Sequence, residues 1–255
     1  MLRFLLTPRW LGLLLVVLVV GAVCILAGRW QFQRYDDRLA RNEVTRQNLS
    51  ADPRPVDDLL SSDQGPSADQ EWRRVVATGT YDDENPIVVR YRTRDGAAGV
   101  DLVVPLVTVS GVALLVDRGW LATSNNADPP DLPPSPDGQV SVTGWVRVDA
   151  TGEGIDVDDS SVRAISSAGI GAVLPYDVYT GFVDAIEEEP SGSATPLRAD
   201  EPDLSSGPHF FYGVQWWFFA LLALGFWVYF GWAEYRDRSR TAGASSQRTP
   251  VTTPE

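Results

Sequence analysis

The chain has 255 residues and a net charge of −13; its 21 basic residues are all arginine, and it holds one cysteine and one histidine. The acidic balance excludes nucleic acid as a partner, since binding it needs a basic footprint. One Cys and one His exclude an intramolecular disulfide, a CxxC centre and a Cys/His zinc cage, and with them copper handling by thiolates.

Residues 1–9 carry Arg3 and Arg9 and precede the first apolar run. Trp10 to Ala27 is 18 residues without a charge, just long enough for a transmembrane helix over 10–28 if Arg9 and Arg29 snorkel to opposite interfaces. A cleaved signal peptide is the rival reading, because a basic start and an apolar run describe one too. Against it, Cys24 stands where the first small residue of a cleavage site would fall, and Arg29-Trp30 follow at once. Val23 before Cys24 also suits a lipoprotein signal poorly. An uncleaved anchor is the favoured reading.

From Arg29 to Asn48 the chain is polar and lacks Gly and Pro, so the helix is expected to continue beyond the span. Trp30 suits the interfacial aromatic belt. Arg34, four residues on, shares its face, and Arg38 extends a basic stripe. Such a stripe either grips lipid phosphates or docks acidic groups of a ligand or partner; residue type alone favours lipid. Residues 52–70, with Pro53, Pro55, Gly65 and Pro66, read as a loop.

Strand patterns begin at Arg73. They run over 73–81, 86–91, 100–109, 112–120, 139–148 and 176–187, with a turn at Asp82–Asn85 and a hairpin at Ser110-Gly111. Pro129, Pro130, Pro133, Pro134 and Pro136 cannot hold a sheet position. Residues 161–174 are ambiguous, with a short helix as one reading. An acidic Pro/Ser linker, 188–208, leads to a second apolar run: Phe210 to Ala233, 24 residues without a charge, giving a transmembrane helix over 209–234. Residues 235–255 read as a disordered cytoplasmic tail.

The fold class is therefore a membrane protein with two transmembrane helices flanking an extracytoplasmic β-rich (α+β) domain, residues 29–208. Arginines near the outer ends of both spans (Arg3, Arg9, Arg236, Arg238, Arg240, Arg248) place both termini in the cytoplasm. Between residues 28 and 208 there are 15 arginines against 31 acids, and long acidic domains translocate readily. Arg29, Arg34, Arg38 and Arg41 weaken that asymmetry without reversing it. Gly21, Cys24 and Gly28 share one face of the first span, and Gly213 and Ala220 one face of the second. Small residues so spaced let helices, or a helix and a flat ligand, come close.

His209 sits at the lip of the second span, a position that suits either a helix cap or a ligand. Tyr212, Gly213 and Trp216 lie on roughly its face, and Gln215 is a polar amide at membrane depth, where such groups usually serve a bundle or a ligand. A serine hydrolase would have to use His209 itself, and the chain has no G-x-S-x-G elbow.

In order, these motifs resemble the Surfeit-locus-one family, whose members assist cytochrome c oxidase assembly. Gly28-x-Trp30-Gln31-x-x-Arg34 is similar to its G-x-W-Q-x-x-R signature, Gly79-Thr-Tyr81 to its G-x-[FY] strand, and Arg118-Gly119-Trp120-Leu121 to its R-G-W-[VIL] motif, with Gly144 fitting the next strand. His209-x-x-Tyr212-x-x-Gln215-Trp216 resembles its H-x-x-Y-A-x-Q-W, with Gly213 where Ala is usual. The proline that often follows R-G-W-V is absent after Leu121. Composition resembles an actinobacterial member.

The resemblance implies insertion of haem a into the catalytic subunit of cytochrome c oxidase, with His209 as axial ligand and the only metal contact being haem iron. Tyr212 and Trp216 would flank the ring, Gly213 would leave it room, Gln215 would lie nearby, and Arg34, or Arg29 beside Trp30, would receive its propionates. The oxidase catalytic subunit, haem a synthase and membrane lipid are the partners it brings in. The alternative is a scaffold that holds an oxidase subunit without touching haem. Neither reading makes the chain an enzyme.

Overall fold

The computed structural model describes residues 5–123, 131–192 and 194–246. Arg3, Pro129, Pro130, Arg248 and the tail beyond Ser246 lie outside the described residues. The chain divides into two compact units, Met1–Arg41 with Ser205–Glu255, and Asn42–Leu204.

Two helices make the first unit: α1, Pro8–Ser50, as far as Arg41, and α3, His209–Ser246. Both are long and apolar enough to cross a membrane. Within the protein only 11% of the most apolar window of α1 is buried, and none of that of α3. Side chains such as Leu15, Leu26, Phe211 and Leu221 stay exposed. With no Gly or Pro between Arg29 and Ser50, α1 runs on as expected and stops shortly before Pro53, which disfavours helix in the residue preceding it. The start of α3 follows Pro208, which lacks the N–H a helix interior would need. The far end of α3 departs from expectation. Residues 235–246, read from composition as part of a disordered tail, are helical. An i,i+4 pair, Arg238 to Glu234 at 2.8 Å, supports that extension, while composition weighed only the polar residues beyond it.

The second unit is a closed sheet. In order come β1 (Arg54–Pro55), β2 (Arg74–Tyr81), β3 (Ile87–Arg94), β4 (Ala97–Thr108), β5 (Ala113–Ala122), β6 (Gln139–Arg147), β7 (Ser161–Val162), α2 (Ser167–Gly171) and β8 (Val178–Glu189). The six long strands fall where the β-branched runs predict them, and α2 is a short helix within the ambiguous stretch 161–174. Neighbours run β2-β6-β8-β5-β4, and β4 is long enough to pair with β2 again through Leu106–Thr108. That second pairing turns five strands into a barrel, and closure removes sheet edges. It depends on Gly79, where a Cβ would stand 2.4 Å from the Val107 carbonyl oxygen. β3 and β7 extend the sheet outward from β4.

Strand alternation sends successive residues to opposite faces. On β5, Leu114 and Val116 join the barrel core with Val75, Leu106, Val142 and Val183. Their neighbour Leu115 joins a second cluster with Val103, Ile165, Ile170 and Phe182 under α2. Both faces of β5 are therefore buried, which explains its continuous apolar run.

Alternation also separates the adjacent charges Asp117 and Arg118. Arg118 is fully buried, and its guanidinium donates to Glu188 at 3.0 Å and to Ser135 at 3.1 Å. Glu188 in turn accepts from the Tyr81 hydroxyl at 2.7 Å and from Arg198 at 2.8 Å. Burial alone would raise the Glu188 carboxyl, but hydrogen bonds from Arg118, Arg198 and Tyr81 outweigh it and hold the pKa at about 2. The proline-rich segment crosses here without regular structure in its described part, and Ser135 N–H donates to Asp83. Past β8, the returning chain lies against β5. Gly119 has φ 127°, and a Cβ there would meet the Leu197 carbonyl oxygen at 2.5 Å.

Asp117 faces the other way, with Asp101 of β4 and Asp184 of β8. Its Oδ1 accepts the Gly119 N–H at 2.9 Å. Burial first, then the charges of Asp101 and Asp184, push its carboxyl well above the ordinary value. Arg147 donates to Asp184 at 2.5 Å, and Arg92 lies 2.7 Å from Asp101. These groups line a polar cleft of about 340 Å³ that also includes Trp120.

Arg118→Met strands the Glu188 carboxylate in the barrel. A buried pair broken on one side costs about 3–5 kcal/mol, and retention of Arg198 and Tyr81 puts the expected loss near the lower end. Urea unfolding of the full chain in detergent, followed by tryptophan fluorescence, reads it, and adding Glu188→Gln should recover much of the loss. Asp117 has the opposite pH sign. Folding tightens its hold on a proton, so it weakens the fold as pH rises above about 4, where the unfolded chain ionises. Asp117→Asn is expected to be more stable than the parent at pH 7 and equal to it below about pH 4; unfolding midpoints at the two pH values check this.

Candidate functional site

The site is built on the antiparallel pairing of α1 and α3 within the first unit. Small residues set the approach. At Gly28 a Cβ would lie 2.4 Å from the Trp217 ring and 3.1 Å from the Gly213 carbonyl oxygen; at Gly213 it would lie 2.8 Å from the Phe32 ring. Aromatic rings occupy what the glycines vacate. Phe32 packs edge-on against Trp217 at 4.9 Å and against Phe210 at 5.8 Å, and at the opposite end of the pair Trp10 packs on Trp227 at 6.3 Å. Cys24 is buried on the same face as Gly28, whereas nothing lies within 4 Å of a Cβ on Gly21.

One turn beyond Gly213, the half-buried His209 meets α1. Its Nδ1 lies 3.0 Å from Oε1 of Gln31. An amide oxygen only accepts, so Nδ1 is the donor in this contact, and in the uncharged ring the lone pair falls on Nε2. A hydrogen bond of this kind fixes both tautomer and ring orientation, as partners of metal-bound imidazoles do. Close by, Arg38 donates to the Ser205 carbonyl at 2.7 Å, holding the chain that leads into α3. The site thus offers one imidazole, oriented through its Nδ1 contact, where α3 begins and the apolar part of α1 ends.

The other sequence-predicted residues are distributed around this pair. The room that Gly213 leaves is filled by Phe32, so it serves helix approach. Trp216 is half-buried and packs edge-on with Phe219 at 6.1 Å. Tyr212 and Gln215 are exposed. On α1, Arg34 stacks over the exposed Trp30 ring at 5.8 Å. Arg29 and Trp30 line a groove of about 640 Å³ with Leu26, Gln33, Asp36 and Trp217. His209 and Arg34 are not among its lining residues. Gln31, Phe32 and Trp217 are the contact residues that sequence reasoning missed. The signal was present: 28, 31, 32 and 35 continue the Gly21–Cys24–Gly28 face, and 217 lies between 213 and 220 on the small-residue stripe. Among the described residues, no group of three or more His, Cys, Asp or Glu side chains is placed to hold a metal ion.

A mixed β-domain inserted between two helices apolar and long enough to cross a bilayer, with one oriented histidine between those helices, defines the class of protein. The SURF1 family model matches residues 18–221, and the chain belongs to the SURF1 (Surfeit-locus-one) family. It is similar to uncharacterized SURF1-like proteins of Mycobacterium bovis and Mycobacterium tuberculosis, 31% identical over 258 residues, which cover 98% of this chain and 94% of each relative. These relatives are actinobacterial, in line with the composition. A SURF1-like protein of Dictyostelium discoideum is 28% identical over 102 residues, 38% of each chain.

Enlarging Gly28 tests the pairing. Gly28→Leu overpacks the crossing, and such changes typically cost about 1–3 kcal/mol. Thermal unfolding of the detergent-solubilised chain should show a lower midpoint, and Trp217→Ala in the same chain should restore part of it.

Proposed function

We propose that this chain is a membrane-anchored assembly factor for cytochrome c oxidase that carries haem a on His209 and passes it to the catalytic subunit. Family membership implies the oxidase assembly role. The apolar surfaces of α1 and α3, almost unburied within the protein, are what a bilayer would cover. The arginine distribution puts both termini in the cytoplasm and residues 29–208 on the extracytoplasmic side. Haem a synthase is the natural donor.

The observation that carries the haem assignment is the His209–Gln31 contact. It engages Nδ1 of the only histidine and leaves Nε2 as the nitrogen to ligate, and one axial imidazole is enough to hold haem iron. A single such bond suits a carrier that must release its cargo. Arg29 and Arg34 supply guanidinium groups for propionates. Trp30, Tyr212 and Trp216 supply ring faces near the lip, and Gln215 an amide on the exposed side of α3. Gly213 contributes by letting α1 approach, which brings Gln31 to His209. In this reading the protein is a carrier and not an enzyme.

The scaffold reading rests on a different observation. Arg118 and Gly119, central to the R-G-W motif, are structural residues of the barrel, which supports the β-domain as a rigid body for an oxidase subunit to grip.

The visible spectrum of the full chain, purified after co-expression with haem a synthesis, separates the two. The parent should show a Soret band, and His209→Ala should lose or shift it. Gln31→Leu should weaken haem retention by about tenfold or more, the range seen when the partner of a ligating imidazole is removed. Folded parent and variant alike without pigment would establish the scaffold.

A further inference from the structure

A second groove on the helix pair has no part in the reading above. Val17, Leu18, Gly21, Ala22 and Ile25 of α1 and Trp217, Ala220, Leu221 and Leu224 of α3 enclose about 520 Å³. Every one of these side chains is apolar or absent, and the volume lies in the range of small-molecule sites. It is open because Gly21 has no neighbour within 4 Å of where a Cβ would be. Trp217 lines both this groove and the one bearing Arg29, Trp30, Gln33 and Asp36. On α1 the two share one helical stripe: Leu18, Ala22, Ile25, Arg29, Gln33 and Asp36 are three or four residues apart. On α3, His209, Gly213, Trp217, Ala220 and Leu224 form the facing stripe.

The helix pair therefore carries two grooves that meet at Trp217, one entirely apolar and the other bearing Arg29, Gln33 and Asp36. An occupant that fits must be amphiphilic, with one long flexible apolar chain and an anionic end. Arg29 complements the anion, and the small residues Gly21, Ala22 and Ala220 give the chain a path between the helices. We infer that the apolar groove below Trp217 holds the isoprenoid chain of haem a, so that the protein selects prenylated haem over haem that lacks the chain. This rests on the haem-carrier reading of His209. The two grips divide the work: His209 holds the iron, a feature all haems share, and the groove reads the isoprenoid chain that haem b lacks.

The test is a Soret titration of the full chain in nanodiscs with haem a and, separately, with haem b, which has the same propionates and iron but lacks both the isoprenoid chain and the formyl group; the groove variants separate those two differences. Haem a should bind at least about tenfold tighter, since each buried methylene adds to affinity. Gly21→Leu, which the empty space tolerates, and Ala220→Leu should each bring haem a down to the haem b affinity while leaving haem b unchanged. Equal binding of the two haems by the parent, or a preference that survives both substitutions, overturns the inference and leaves the His209 reading intact. A changed oligomeric state of Gly21→Leu with an unchanged preference also overturns it, making the groove a helix-docking face. Binding of neither haem removes the carrier reading and this inference with it.

Discussion

The barrel is organised around the carboxylate of Glu188. It sits almost fully buried where β8 ends, and three groups from separate parts of the chain converge on it: Arg118 from β5, Tyr81 from β2 and Arg198 from the returning segment. A lone carboxylate in such a place would be protonated or would unfold the site. Here desolvation is the largest single influence, but the hydrogen bonds together outweigh it and hold the pKa at about 2. Because it needs all three partners, the ion fixes relations that apolar packing leaves loose. It ties β2 and β5 to β8, which pairs with β5 directly and reaches β2 only through β6. It also anchors the segment after β8, which then lies so close to Gly119 that no side chain fits there.

In the helical unit the equivalent constraint is steric. Gly28 and Gly213 face each other's neighbours across the crossing, and the aromatic rings of Trp217 and Phe32 fill the gaps. In a bilayer the hydrophobic effect supplies little drive for helix association, so close packing of this kind has to supply it. Its consequence for the site is positional. Since Gly213 is one turn from His209, and Gly28 nearly one turn from Gln31, the same crossing that packs the helices brings the amide to the imidazole. A residue that touches no ligand thus decides the tautomer of the one that would.

Much of this was legible in the sequence, for identifiable reasons. The six long strands stand out because β-branched residues recur in runs bounded by Asp, Asn, Ser and Gly, and those bounds fall close to the observed ends. Both apolar helices stand out by length. What periodicity cannot convey is pairing. The parallel neighbours β5 and β8 and the return of β4 to β2 are relations between distant segments, and nothing local in Leu106–Thr108 announces a barrel. The buried ions were half-visible: Asp117-Arg118 interrupts an apolar strand, a sign that the charges have partners, but Glu188 looks like any residue of the acidic run Glu187–Glu189. In the candidate site the histidine was legible because it is unique. Its partner was not, since Gln31 belongs to a motif whose conspicuous members are Trp30 and Arg34, and those lie to one side of the His209 contact.

That division within one motif bears on what the first helix does. Trp30 and Gln31 are adjacent, so on a helix they point about a quarter-turn apart or slightly more. Gln31 turns inward to His209 while Trp30, with Arg34 over its ring, stays exposed beside Arg29. In the proposed carrier role, the two directions suit two needs of a cargo that is apolar at its centre and anionic at its rim. The inward residue sets the imidazole from behind, where only an uncharged acceptor can sit between apolar helices without a large desolvation cost. The outward residues keep their charges at the edge, where guanidinium groups stay hydrated until a carboxylate arrives. Exchanging their roles would bury an arginine at the helix crossing and leave a neutral amide at the exposed edge. The order Trp-Gln-x-x-Arg is thus what the helix geometry requires if one turn of α1 is to serve both ends of the same ligand.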